Sequence, residues 1–186
     1  MLEIQITGRE FYNDETGEFA TVEPQTLRLE HSLYAIAKWE AKWKKPFLAD
    51  EKIHKKTYEE LLDYIRCMSL DEDVDPLVFL CLTQDDFMKI TKYMNDPMTA
   101  TWFRKEQTKG QQSNETVTSE LVYYWLSAAQ IPFETQYWHF NRLMTLIRVA
   151  SIKSQPPKKM SKRDVLRQNH SINQARRNAL AKKKPT

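Results

Sequence analysis

The chain has 186 residues, 41% hydrophobic and 11% aromatic, with a formal net charge of +3. That length sets one domain, or one domain with an appendage. Only three glycines occur (Gly8, Gly17, Gly110), which excludes glycine-dependent phosphate loops and the many tight turns of an all-β fold.

The charge is unevenly divided. Residues 153–186 hold 11 Lys/Arg against one acid, Asp164, a net +10, while residues 1–152 hold 17 bases against 24 acids, a net −7. An acidic body and a basic tail are two physical objects, and we place their boundary at 1–153 and 154–186. No apolar run approaches the roughly 20 residues of a membrane span, so no membrane partner is expected. The first residues, MLEIQITGREFYNDE, lack the basic and apolar regions of a signal peptide. Cys67 and Cys81 lie in apolar stretches and read as buried thiols in a reducing compartment. Together these features predict a cytosolic protein.

Along the chain, Leu2–Thr7 alternates apolar and polar as a half-buried strand does. Asn13–Gly17 is a turn cluster from which Glu18–Val22 pairs back as a hairpin, and Thr26–Leu29 alternates again. A small β element over residues 1–30 follows. Ser32 is placed to cap a helix over about 32–44 carrying Leu33, Ile36, Ala37, Trp39 and Trp43, which Pro46 ends. Thr57 and Glu60 form a capping box for a helix over about 58–68, and Thr83 with Asp86 opens another to about Met94. Between them lie an acidic loop, Asp71–Pro76, and a short apolar run, Leu77–Leu82, that is helix or strand by period alone.

Gly110–Asn114 is the most polar loop, and Pro132 divides two hydrophobic helices, about 116–130 and 134–153. The second is apolar around nearly its whole circumference, which predicts the central, buried helix. Gln155–Lys159 is a Pro-Pro linker, and Ser161 with Asp164 caps a final basic helix to about 182. Its apolar stripe is thin, Val165, Ile172 and Ala179, so the helix is marginal alone. The fold class is therefore mainly α: a helical body, a small N-terminal β element and a basic C-terminal helix on a linker.

Catalytic patterns are hard to find. The acidic run 71–75 lacks the glycine and distal glutamate of a calcium-binding EF-hand loop. His31, His54, His139 and His170 are scattered, with no second ligand at i+3 or i+4, so no metal is expected. His139 reads as a hydrogen-bonded core histidine. Glu59/Glu60 and Asp85/Asp86 fall in first helical turns, where the macrodipole explains them. No nucleophile elbow occurs. The expectation is a non-enzyme without cofactors.

The tail carries more information. It suits an acidic partner, a groove in which it orders as a helix, or nucleic-acid phosphates, against the plain alternative of a solvated terminus. Residues 153–186 contain no aromatic, which removes base stacking and makes nucleic acid the less favoured of these.

Five segments share a wider pattern: LRLEHSLYAIAKWEAKWKKPFL (27–48), YIRCMSL (64–70), DPMTATWF (96–103), ELVYYWLSAAQIPFETQYWHFNRLMTLIRV (120–149) and PPKKMSKRDVL (156–166). The chain resembles small proteins encoded in the tail-morphogenesis region of long-tailed bacteriophages, described as tail assembly chaperones. The W-E-x-x-W-x-K-P-F and Q-Y-W-H-x-N-R-L blocks are its most specific parts. The resemblance implies a non-catalytic protein of the bacterial cytoplasm that holds the helical tape-measure protein, or other tail proteins, during assembly. A permanent virion protein of the tail or head–tail connector is the alternative, with a nucleic-acid-binding regulator acting through the tail as a further one. Self-association is a further possible contact. Partner-binding candidates are Trp39, Trp43, Trp102 and Trp125 in the body, because Trp concentrates at binding hot spots, and Val165, Ile172, Arg176 and Arg177 in the tail.

Overall fold

The computed structural model describes residues 1–14, 17–49, 55–103, 116–154 and 162–181. The chain divides into two compact units, Met1–Ser151 and Ile152–Thr186. It is mostly helical, with a small β element at its N-terminus.

That β element is a ribbon. Strand β1 (Leu2–Ile6) pairs antiparallel with β4 (Gln25–Leu29), and β2 (Arg9–Asn13) pairs with β3 (Glu18–Val22). Leu2 faces Leu29 and Arg9 faces Val22, so both ladders keep one register and form a hairpin interrupted at residues 7–8 and 23–24. Pro24 has no N–H for a ladder. Opposite it, Gly8 leaves no room: a Cβ there would lie 2.7 Å from the Val22 carbonyl oxygen and 2.9 Å from Pro24 Cδ. Gly8→Ala should therefore destabilise the body by about 1–3 kcal/mol, the usual cost of forced backbone shifts. Urea unfolding reads this directly, and an unchanged midpoint would show that the ribbon yields there freely.

Ile4, Ile6, Leu27 and Leu29 press the ribbon onto the helices. Helix α1 (Leu33–Trp43) lies at the centre, burying Leu33, Ala35, Ile36, Trp39 and Glu40. Ser32 caps its start, accepting from the Ala35 N–H, and Lys44 ends it at φ 55°. Helix α2 (Tyr58–Met68) opens on the Thr57/Glu60 capping box and buries Leu62, Tyr64, Ile65 and Met68. The ambiguous apolar run is a 3-10 helix, Pro76–Cys81, capped by Asp75. Helix α3 (Gln84–Met94) opens on the Thr83/Asp86 box. Helix α4 (Ser119–Ala128) is capped by Thr118, and a 3-10 turn, Phe133–Tyr137, precedes α5 (Phe140–Ser154).

Two sequence expectations need correction. Residues 134–153 do not form one buried helix, because Trp138 is extended at ψ 159° and α5 starts only at Phe140. The cause is tertiary: the Phe140 N–H donates to the His31 carbonyl at 2.7 Å, and His139 bridges to Ser32. Helix α5 buries only Phe140 and Leu143, so α1 is the central helix instead. The acidic loop is anchored at its first residue. Asp71 accepts from the Arg28 backbone N–H at 3.2 Å and from its guanidinium, and that hydrogen bonding holds its carboxyl below the usual range.

Within the second unit, α6 (Lys162–Ala181) is one 20-residue helix. The polar loop at 110–114, the linker at 155–159 and the Ser161 cap lie outside the described residues.

Candidate protein-binding surface

The body is stitched internally by buried polar side chains. Glu40 accepts from the Phe47 N–H at 2.7 Å through Oε1, and from the Ser119 N–H and Oγ–H at 2.7 and 2.5 Å through Oε2. Asp63 accepts from Lys42 Nζ and from Trp43 Nε1, the latter at 2.8 Å. Glu60 completes its capping box and takes Lys45 Nζ at 2.6 Å. These carboxylates join α1 to α2 and α4, and that structural work accounts for their burial.

A second buried cluster surrounds His31 and His139, whose ring centroids lie 5.3 Å apart. His31 Nδ1 shares a hydrogen bond with the Tyr64 hydroxyl at 2.5 Å. His139 Nε2 meets the Tyr93 carbonyl oxygen at 3.0 Å, so it carries the hydrogen and donates. Its Nδ1 is buried without a hydrogen-bond partner. Burial, and next the neighbouring His139, push the His31 imidazole down to about 3. Cys67 is pushed up to about 11 by burial and Asp63, which makes it an unreactive thiol.

Among the described residues no three His, Cys, Asp or Glu side chains gather as metal ligands do. An open groove of about 400 Å³ runs along α3, lined by Gln84, Phe87, Met88, Thr91, Lys92 and Asn95. Lys92 is its one ionisable lining side chain, so it offers no acid–base pair.

The surface feature that stands out is aromatic. Gln130, at φ 54°, turns the chain out of α4, and Pro132 starts the 3-10 turn. Thr135 points inward, its hydroxyl donating to the Pro132 carbonyl at 2.7 Å. Phe133 and Tyr137 are thereby turned out to 53% and 54% exposure. Tyr137 meets Tyr34 of α1 at 5.2 Å between ring centroids, and Tyr34 is itself 43% exposed. Tyr123 of α4 lies 6.2 Å from Phe133 and donates its hydroxyl to Gln136 Oε1 at 2.7 Å. Burial, then the nearby Tyr137 and Tyr34, raise its phenol above the ordinary value. Lys38 lies over the Tyr34 ring and Arg142 over Trp138, at 5.4 and 4.4 Å. Three exposed rings, Tyr34, Phe133 and Tyr137, thus form one cation-edged aromatic surface with the half-buried Tyr123 beneath them.

The tryptophans separate by burial. Trp39 is fully buried, its Nε1–H donating to the Glu60 carbonyl at 2.8 Å, so it presents no surface to a partner. Trp43 stacks on Trp39 and is half-buried, as is Trp125. Trp102 is 94% exposed, beside Phe103, over which Arg148 stacks at 4.1 Å. On α6, Ile172, Arg176 and Arg177 are exposed, while the Val165 side chain lies outside the described ones. Tyr34, Phe133 and Tyr137 were not singled out as site residues from sequence. Their available signal was Pro132 amid closely spaced aromatics, where helical period fails and large rings cannot all turn inward. No family model, curated protein or solved structure matches the chain.

Proposed function

We propose that the body is a non-catalytic tail assembly chaperone of a long-tailed phage, holding the tape-measure protein in the host cytoplasm until tail subunits enclose it. The observation that carries this reading is the aromatic surface of the exposed Tyr34, Phe133 and Tyr137 with the half-buried Tyr123. Exposed tyrosines offer large, rigid contact area at low entropic cost, with hydroxyls to hydrogen-bond a helical client's polar rim. Reversible holding needs such a surface and no bond-breaking chemistry. The resemblance of residues 27–48 and 120–149 to the phage family supplies the client, and those two segments contain all four rings.

Co-expression with the neighbouring tape-measure protein and a pull-down tests the proposal. The Tyr34→Ala/Tyr137→Ala double variant should bind at least about tenfold more weakly, as loss of hot-spot rings does. Its melting temperature should stay within a degree or two of wild type, because both rings are already exposed. Undiminished capture by the double variant removes this surface from the contact. Mass spectrometry of purified virions should find the chain absent, whereas stoichiometric presence makes it a permanent tail component.

A further inference from the structure

Helix α6 has a feature that the chaperone reading does not use. At about 100° per residue, Arg163, Arg167, His170, Gln174 and Arg177 fall within an arc of about 80°, one above another. Each of these five side chains is exposed. The line they form runs about 21 Å along the helix. Arg176 lies off it, about 140° round the axis from Arg163. Asn169, Asn173 and Gln174 are exposed as well, adding amide donors and acceptors beside the cations.

We infer that α6 is a nucleic-acid-binding helix that lays this Arg/His/Gln line along the phosphate backbone of a double-stranded duplex. The charge is of nearly one sign: 11 Lys/Arg against one acid over residues 153–186. A helix built to pair with another protein helix carries both signs along its flanks. Arginine, which makes three of the five residues in the line, presents a planar fork that fits phosphate oxygens in pairs. A 20-residue helix is about 30 Å long, close to one duplex turn, and an α-helix fits the major groove. Residues 153–186 contain no aromatic side chain for stacking on unpaired bases, so the ligand is the duplex rather than a single strand. The body's net −7 repels phosphate, which assigns the contact to α6 alone.

The test is fluorescence anisotropy of the full chain with a labelled 30-base-pair duplex of random sequence, at several salt concentrations. The triple variant Arg163→Gln/Arg167→Gln/Arg177→Gln should weaken binding at least tenfold and reduce the log–log salt slope by about 3, one per lost phosphate contact. Lys182→Gln/Lys183→Gln/Lys184→Gln removes the same formal charge without touching the five residues of the line, and should cost less than about threefold. Lysine at 163, 167 and 177 should restore binding to within about threefold of wild type, which separates a charge contact from a folding defect. Equal losses in the two Gln triples, or no duplex binding by the wild type, overturn the inference. Tail-dependent self-association in sedimentation velocity without duplex binding also overturns it and makes a second copy the partner.

Discussion

Glu40→Ala should destabilise the body by about 3–5 kcal/mol, the largest single-residue effect expected here. The carboxylate is buried and satisfies three donors at once: the Phe47 N–H, the Ser119 N–H and the Ser119 hydroxyl. Phe47 and Ser119 are themselves buried, so their N–H groups cannot turn to water when the acceptor is removed. Each stranded backbone donor costs about 1–3 kcal/mol, more than the bond itself contributes. The hydroxyl can rotate, so the backbone donors set the size of the loss. For a body of this length, each kcal/mol moves the melting temperature by about 2–4 °C, giving a fall of about 10 °C. Glu40→Gln keeps one carbonyl oxygen but turns an NH₂ toward a donor, and should fall about halfway between. A loss below about 1 kcal/mol for alanine would mean that the α1–α4 junction reorganises around the vacancy. It would remove Glu40 as the residue that ties α1 to the Phe47 loop and to the start of α4.

Local rules were legible in the chain. Ser32, Thr57 with Glu60, and Thr83 with Asp86 each cap the helix their spacing announces, because a cap is decided within four residues. The β1 and β4 strands followed from alternation. Strand β2 did not, since the inward positions change parity across residues 7–8, from Ile4 and Ile6 to the half-buried Phe11. Burial of individual rings was not readable either. Trp39 and Trp102 are the same residue type, yet one is sealed under α2 and the other is 94% exposed. The late start of α5 depends on the His31 carbonyl, more than 100 residues away in sequence, capturing the Phe140 N–H. The aromatic surface arises the same way: Pro132 breaks the helix locally, but only contact with Tyr34 gathers Tyr137 into a patch.

The same long-range joint makes the body acid-sensitive. His31 sits between β4 and α1, shares its hydrogen bond with Tyr64 of α2, and touches the rings of His139 and Phe140. In the unfolded chain its imidazole takes up a proton near pH 6.5; in the folded body burial holds that step off until about pH 3. The unfolded state thus binds more protons between those values. Stability is complete above pH 6.5 and is lost as pH falls. Between pH 8 and pH 5 the loss from His31 alone is about 2 kcal/mol, fixed by the unfolded chain's uptake while the folded imidazole remains neutral. His31→Gln removes the titration and can still hydrogen-bond the Tyr64 hydroxyl. Its unfolding free energy should therefore fall about 2 kcal/mol less than wild type over the same pH range, even if it starts lower. Urea unfolding at pH 8, 6.5 and 5 gives the comparison, with other carboxylates and histidines common to both proteins. The His31 ring carbon–proton resonances should show no titration midpoint above pH 5. Parallel stability curves for the two proteins, or a midpoint near 6.5, would place His31 in contact with solvent and dissolve the joint described here.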